Sequence, residues 1–234
     1  MKKLCIYVIR MFNRNLWKVF DVMKVWLRKI RTPNRDIKLS AQIIYSILIL
    51  MLGIMLGMFS KWLDNTSIND MIWWQRIIGI LDLRNVFSEF AIWFLIALAI
   101  SVYSNAPLRA CLNVFLFFAG MCISYHLYTI MFAGFNPRLY MMIWYGLTLL
   151  SPILAFVCWY GKGKTKVSLI IDMLILAVMM SVCFAIGFWY FDIPRIINVI
   201  IFVGSVAILY SEPKQTAISL LGAVVLSYAS RMLI

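Results

Sequence analysis

The chain has 234 residues, 64% of them hydrophobic and 13% charged, with a formal net charge of +13. Soluble domains are nearer half apolar and a quarter charged. The apolar residues here also fall in long blocks, which excludes an ordinary soluble domain and implies a multispan membrane protein.

The first segment, residues 1–38, carries eleven Lys or Arg against Asp21 and Asp36, a net of +9. Its charges recur every few positions, so no secretory h-region or cleavage site is expected. Arg10, Arg14, Lys18, Asp21, Lys24 and Arg28 follow three- and four-residue steps, which places them on one face of a helix. Phe12, Leu16, Val19, Phe20, Met23 and Trp26 supply apolar surface, and Pro33 is expected to end the helix. Such a helix lies in the plane of a leaflet. Residues 1–31 then meet anionic lipid through Arg10, Arg14, Lys18, Lys24 and Arg28. Docking to a membrane or cytoplasmic protein is the alternative, and nucleic acid is not an expected partner. Cys5 is a weak candidate for acylation.

Residues 39–234 form the second segment, a transmembrane domain. A crossing needs roughly 20 apolar residues, and seven runs qualify or nearly so: 39–60, 86–104, 108–131, 139–160, 167–190, 195–210 and 215–233. The last two are short and could instead form a re-entrant hairpin. Bare amides are costly in lipid and these runs do not alternate, so they are expected to be helices, giving an all-α polytopic bundle. With the N-terminus in the cytoplasm, sixteen basic residues fall inside and six outside, and the C-terminus is external. The segment "GKGKTK" (161–166) is the strongest inside marker. Between the first two runs, residues 67–85 read as an external interfacial helix, with Ser67, Asn69 and Asp70 as candidate caps and Trp73 and Trp74 as its anchors.

Polar groups inside these runs are the candidates for function. In the first, Gly53 and Gly57 have the GxxxG spacing that permits close helix contact. In the third, Arg109, Asn113, Gly120, Ser124 and Tyr128 form a stripe expected to face other helices or a cavity. His126 lies off that stripe, with Glu89 as a candidate partner at similar depth. In the fourth, Pro152 removes a backbone hydrogen bond to Thr148 and is expected to kink the helix. In the fifth, Asp172 lies about 9 Å beyond Lys166. An intramembrane carboxylate is a candidate for function. Here the alternatives are pairing with Arg109 or Lys164, a substrate or proton site, and snorkelling. Ser168, Met179, Cys183 and Gly187 share its face. Thr216, Ser219, Ala223, Ser227 and Ser230 give the seventh run a small-residue contact face.

The sequence has no HExxH, GxSxG or Walker A motif, so no catalytic residue is assigned and enzyme activity is not expected. Cys5, Cys111, Cys122, Cys158 and Cys183 include no CxxC pair, and one histidine cannot build a histidine cluster, so no metal or cofactor is expected. The stretches "LGIMLGMFSKWLDN" (52–65), "LNVFLFFAGM" (112–121) and "SPILAFVCWYGKGK" (151–164) resemble a group of small, uncharacterised bacterial multispan membrane proteins. The resemblance spans about residues 40–190. It implies a bacterial inner membrane and no particular activity. The leading expectation is a small permease-like or solute-binding membrane component. A membrane subunit of an ATPase-driven complex and a lipid-sensing interaction protein are the alternatives. The halves 39–131 and 139–233 show no clear similarity, which disfavours an autonomous inverted-repeat transporter.

Overall fold

A computed structural model describes residues 22–34, 37–67, 71–187 and 189–232. Residues 22–30 are helical (α1). The long helices are α2 (Leu39–Asn65), α6 (Pro107–Tyr128), α7 (Arg138–Trp159), α8 (Lys166–Cys183) and α10 (Pro213–Met232). Between them come α3 (Trp73–Ile80), α4 (Leu83–Ser88), α5 (Phe90–Tyr103) and α9 (Ile196–Leu209). A hairpin of two short strands, β1 (Ala185–Ile186) and β2 (Phe191–Asp192), joins α8 to α9. The fold is all-α apart from that hairpin. Among the described residues, four segments are long and apolar enough to cross a bilayer: Leu39–Asn65, Pro107–Ala133, Arg138–Trp159 and Lys166–Cys183.

Four expected runs take a different form, and one of them, the seventh (α10), is 20 residues long but not among the segments apolar enough to cross. The second, 86–104, divides at Glu89 into α4 and α5. At 14 residues, α5 is about 21 Å long, short of the ~30 Å hydrocarbon core. It is apolar on all sides because protein surrounds it: α6, α7, α8 and α9 all pack against it. The fifth run, 167–190, stops at Cys183, so Gly187 lies in the hairpin and not on the Asp172 face. The sixth, α9, is also 14 residues and rests on α5.

The most extensive helix pair is α2 with α6, and small residues make it so. A Cβ on Gly53 would overlap the Phe117 carbonyl, and one on Gly57 would overlap Ser124 and the Met121 carbonyl. From the facing side, Gly120 meets the Leu50 backbone. The GxxxG of α2 and the small residues of the α6 stripe are two sides of one seam. On the other flank α10 packs on α8 through Ser219, Ala223 and Ser227, all buried, as the small-residue pattern predicts.

Loops gather at two ends. At one, the Asn34 amide donates to Asn105 O, the Gln215 amide to Gly163 O, and Lys164 pairs with Glu212 at 3.1 Å. At the other, Arg84 donates to Thr66 O, and Arg195 pairs with Asp82 at 2.5 Å and Glu89 at 2.7 Å. The bonds to Glu89 and Asp82 together hold the Arg195 guanidinium above its ordinary pKa. The expected interfacial helix is broken in two at Asp82, which adopts a left-handed φ of 49°. Its first half begins after Ile72 without a side-chain cap. Asn69 and Asp70 lie outside the described residues. Trp74 stacks on Trp62, while Trp73 is exposed.

The expected arm helix is described only from residue 22 to 30, so Cys5, Arg10, Arg14 and Lys18 lie outside the described residues. Lys24 and Arg28 are exposed, as are Val22, Val25 and Trp26. Ile30 is buried in the core. Arg31 then reaches the carbonyl ends of two helices, donating to Trp159 O at 2.6 Å and Val102 O at 2.9 Å. Its guanidinium also lies 4.3 Å from the Trp159 ring centroid. These bonds satisfy helix-end carbonyls that have no intrahelical partner, and a cation suits that end of the helix dipole. Burial lowers the Arg31 pKa from its ordinary value.

Candidate binding pocket at the basic end

The arm, the 104–106 loop, the 160–165 loop and the start of α10 meet at one end of the bundle. The described basic residues of that end are Lys24, Arg28, Lys29, Arg31, Lys38, Arg109, Lys162, Lys164, Lys166 and Lys214, against Glu212 in the loops. The opposite end is nearly balanced: Lys61, Arg76, Arg84, Arg138, Arg195 and Arg231 stand against Asp64, Asp82, Glu89 and Asp192.

A pocket of about 370 Å³ opens at the basic end between α2, α5 and α6. Gln42, Tyr45, Tyr103, Asn105, Arg109 and Asn113 are its polar walls, and Ile37, Ile49 and Ile100 line its apolar side. Asn113 is fixed from both sides: its Oδ1 accepts from the Ser46 hydroxyl at 2.7 Å and its Nδ2 donates to Ser104 Oγ at 3.2 Å. That bridge ties the three helices and gives the pocket a rigid floor. Gln42 is held by donation to Ile37 O at 2.9 Å. Arg109 is different. Partly buried at the pocket wall, it has no hydrogen-bond or ion-pair partner among the described residues. Among the described residues no carboxylate lines the pocket. The arrangement is rich in donors and positive, which suits an anion.

Arg109 and Asn113 are thus brought together, and the other sequence candidates are not. Ser124 lies lower on the same stripe, packed beside Gly57 in the α2–α6 seam. Tyr128 meets the Phe132 ring in a tilted contact, centroids 4.6 Å apart, away from the pocket. His126 contacts the Tyr145 hydroxyl at 2.7 Å and Asn136 Oδ1 at 3.0 Å, so Glu89 is not its partner; Glu89 is taken by Arg195. At Pro152 the helix continues, and the freed Thr148 carbonyl accepts the Ser151 hydroxyl at 2.8 Å. The backbone group released by the proline is therefore satisfied within its own helix.

Asp172 is 3% exposed and pairs with neither Arg109 nor Lys164. Its Oδ2 accepts from Gln215 Nε2 at 3.3 Å, and the same amide donates to Gly163 O at 3.0 Å. Its Oδ1 is buried with no hydrogen-bond partner, against Gly161. Gly161 is what makes room: a Cβ there would press on that oxygen at 2.7 Å. The aspartate therefore belongs to a knot joining α8, the glycine loop and α10. It does not line the Arg109 pocket.

Other polar groups were not singled out in the sequence. Lys61 is 6% exposed, 3.7 Å from Asp64, and its ammonium faces the Tyr125 and Phe135 rings; Tyr125 also donates to Asp64 at 2.8 Å. The i,i+3 spacing of Lys61 and Asp64 is the only signal for this cluster in the chain itself. Asn198 donates to Cys183 O at 2.8 Å, closing the end of α8. A second cavity, about 280 Å³, lies between α5, α6, α7 and α8. Its lining is apolar save for Ser101 and Ser151, whose hydroxyls already donate to the Ala155 and Thr148 carbonyls. Among the described residues no cluster of His, Cys, Asp or Glu has a metal-binding arrangement.

Comparison with protein-family models, with curated proteins and with solved structures returns no match for this chain.

Proposed function

We propose that this chain is a small solute-binding or permease-like component of a bacterial inner membrane, acting through the Arg109 pocket at its cytoplasmic end. The observation that carries the reading is Arg109, which has no ion-pair partner among the described residues, in a pocket whose described walls carry no carboxylate. A guanidinium held partly out of water without a counter-ion favours an incoming anion, because the ligand then completes the pair.

The topology proposed with it has seven crossings, a cytoplasmic N-terminus and an external C-terminus. Charge asymmetry supports the orientation, since basic residues concentrate on the cytoplasmic side of multispan proteins. The alternation of loops between the two ends supports seven. The short α5 and α9 are accommodated because each leans on neighbouring helices instead of meeting lipid alone. The exposed Val22, Val25 and Trp26, beside Lys24 and Arg28, support a resting place for the arm at the anionic inner leaflet.

The test is the side from which the pocket is reached. In a variant lacking native cysteines, Asn105→Cys should resist a membrane-impermeant maleimide in intact cells and react in inverted vesicles. Labelling in intact cells would place the pocket outside and overturn this reading.

A further inference from the structure

We propose that the Arg109 pocket binds a phosphate group, presented by an anionic phospholipid of the cytoplasmic leaflet. This inference rests on the reading of the pocket as a cytoplasmic-face site and narrows its ligand.

The pocket has the two halves such a ligand needs. On the polar side, Arg109 offers a planar fork of donors that no acceptor among the described residues occupies, a geometry that matches phosphate oxygens in pairs. Asn113 Nδ2 spends one hydrogen on Ser104, and its second remains. Tyr45 and Tyr103, 57% and 63% exposed, bring phenol groups to the mouth. Lys162 sits 4.7 Å from the Tyr103 ring centroid and adds a second positive charge beside the entrance. On the apolar side, Ile37, Ile49 and Ile100 form a wall with nothing to offer a hydrophilic solute. Beside that wall on α2, Leu48 is exposed one turn beyond Tyr45 at the pocket's edge. A ligand with a phosphate at the pocket and hydrocarbon running along α2 uses both halves. The pocket also lies where helix ends meet the headgroup layer. A volume of about 370 Å³ falls in the range of small-molecule pockets.

The test uses the full-length protein purified in neutral detergent and supplied with mixed micelles of phosphatidylcholine and phosphatidylglycerol. Native mass spectrometry reads which lipid stays bound, and inorganic phosphate is added as a competitor. The wild-type protein should retain phosphatidylglycerol. Arg109→Gln should weaken retention roughly tenfold, as expected for loss of a charge-assisted contact. Asn105→Asp adds a negative charge to the pocket while leaving Arg109 in place, and should cause a similar loss. The double variant Arg76→Gln/Arg231→Gln should retain lipid normally, because those exposed residues lie at the opposite end of the bundle. Displacement by millimolar inorganic phosphate, with no lipid retained, would keep the phosphate chemistry but overturn the lipid source. Equal retention by wild type, Arg109→Gln and Asn105→Asp, all with unchanged melting, would overturn the proposal. The Asn105→Cys labelling separates the two levels: a pocket on the external face removes the reading beneath, while a cytoplasmic pocket indifferent to phosphate removes only this inference.

Discussion

Asp172 and Arg109 are the two residues whose polarity stands out most within the apolar runs, and their surroundings assign them different work. Asp172 is enclosed, with one oxygen on Gln215 and the other unpartnered. An isosteric amide keeps an acceptor for Gln215 and removes a carboxyl that lacks a counter-ion. Asp172→Asn should therefore leave the apparent melting temperature unchanged or raise it, with a gain of up to about 1 kcal/mol. A loss of several kcal/mol by thermal unfolding in detergent would show that the carboxyl is needed as such. Arg31 is the opposite case, since its fork serves two helix-end carbonyls and an aromatic face together. Arg31→Ala should cost about 2 kcal/mol in the same assay. Arg31→Lys should recover little of it, because a point charge cannot span both carbonyls.

The α2–α6 seam is where sequence pattern and structure agree most closely among the elements. Gly53 and Gly57 are required because the opposing backbone occupies the space a side chain would fill. Gly53→Ala and Gly57→Ala should each destabilise by about 1–3 kcal/mol, the cost of overpacking against a backbone that cannot yield. Gly146 in α7 has nothing within 4 Å of its would-be Cβ, so Gly146→Ala should be neutral or slightly stabilising. Equal losses at Gly53 and Gly146 would mean the seam does not form as described. Helix type, the small-residue faces and the basic end were legible in the sequence because each is a local pattern or a count. The partners were not. Lateral neighbours depend on how α5 is enclosed, and no periodicity within one helix encodes that. Arg109 and Asn113 lie four residues apart and so were visible as a pair. Gln42, Tyr45 and Tyr103 join them only through packing. Asp172 found Gln215 instead of Arg109 because α10 returns against α8, a contact of distant origin in the chain. The run at 167–190 has the pattern of one helix because hydrophobicity continues past Cys183, where Asn198 closes α8 and the backbone turns into a hairpin.

For the whole molecule, asymmetry between its two ends ties fold to function. One end collects the arm, the glycine-lysine loop and an arginine-lined pocket. The other carries near-balanced charge, ion pairs and interfacial tryptophans. In the proposed orientation the basic end is cytoplasmic, and the same residues that would set that orientation would make the end receptive to anions. The direct measurement is loop-by-loop accessibility in a cysteine-free variant, using Thr66→Cys, Asn105→Cys, Asn136→Cys, Lys162→Cys, Asp192→Cys and Glu212→Cys. With an impermeant maleimide on intact cells, positions 66, 136 and 192 should label, and positions 105, 162 and 212 only in inverted vesicles. Labelling of 212 from the outside, or of 105 and 162 in intact cells, would contradict seven crossings with a cytoplasmic pocket.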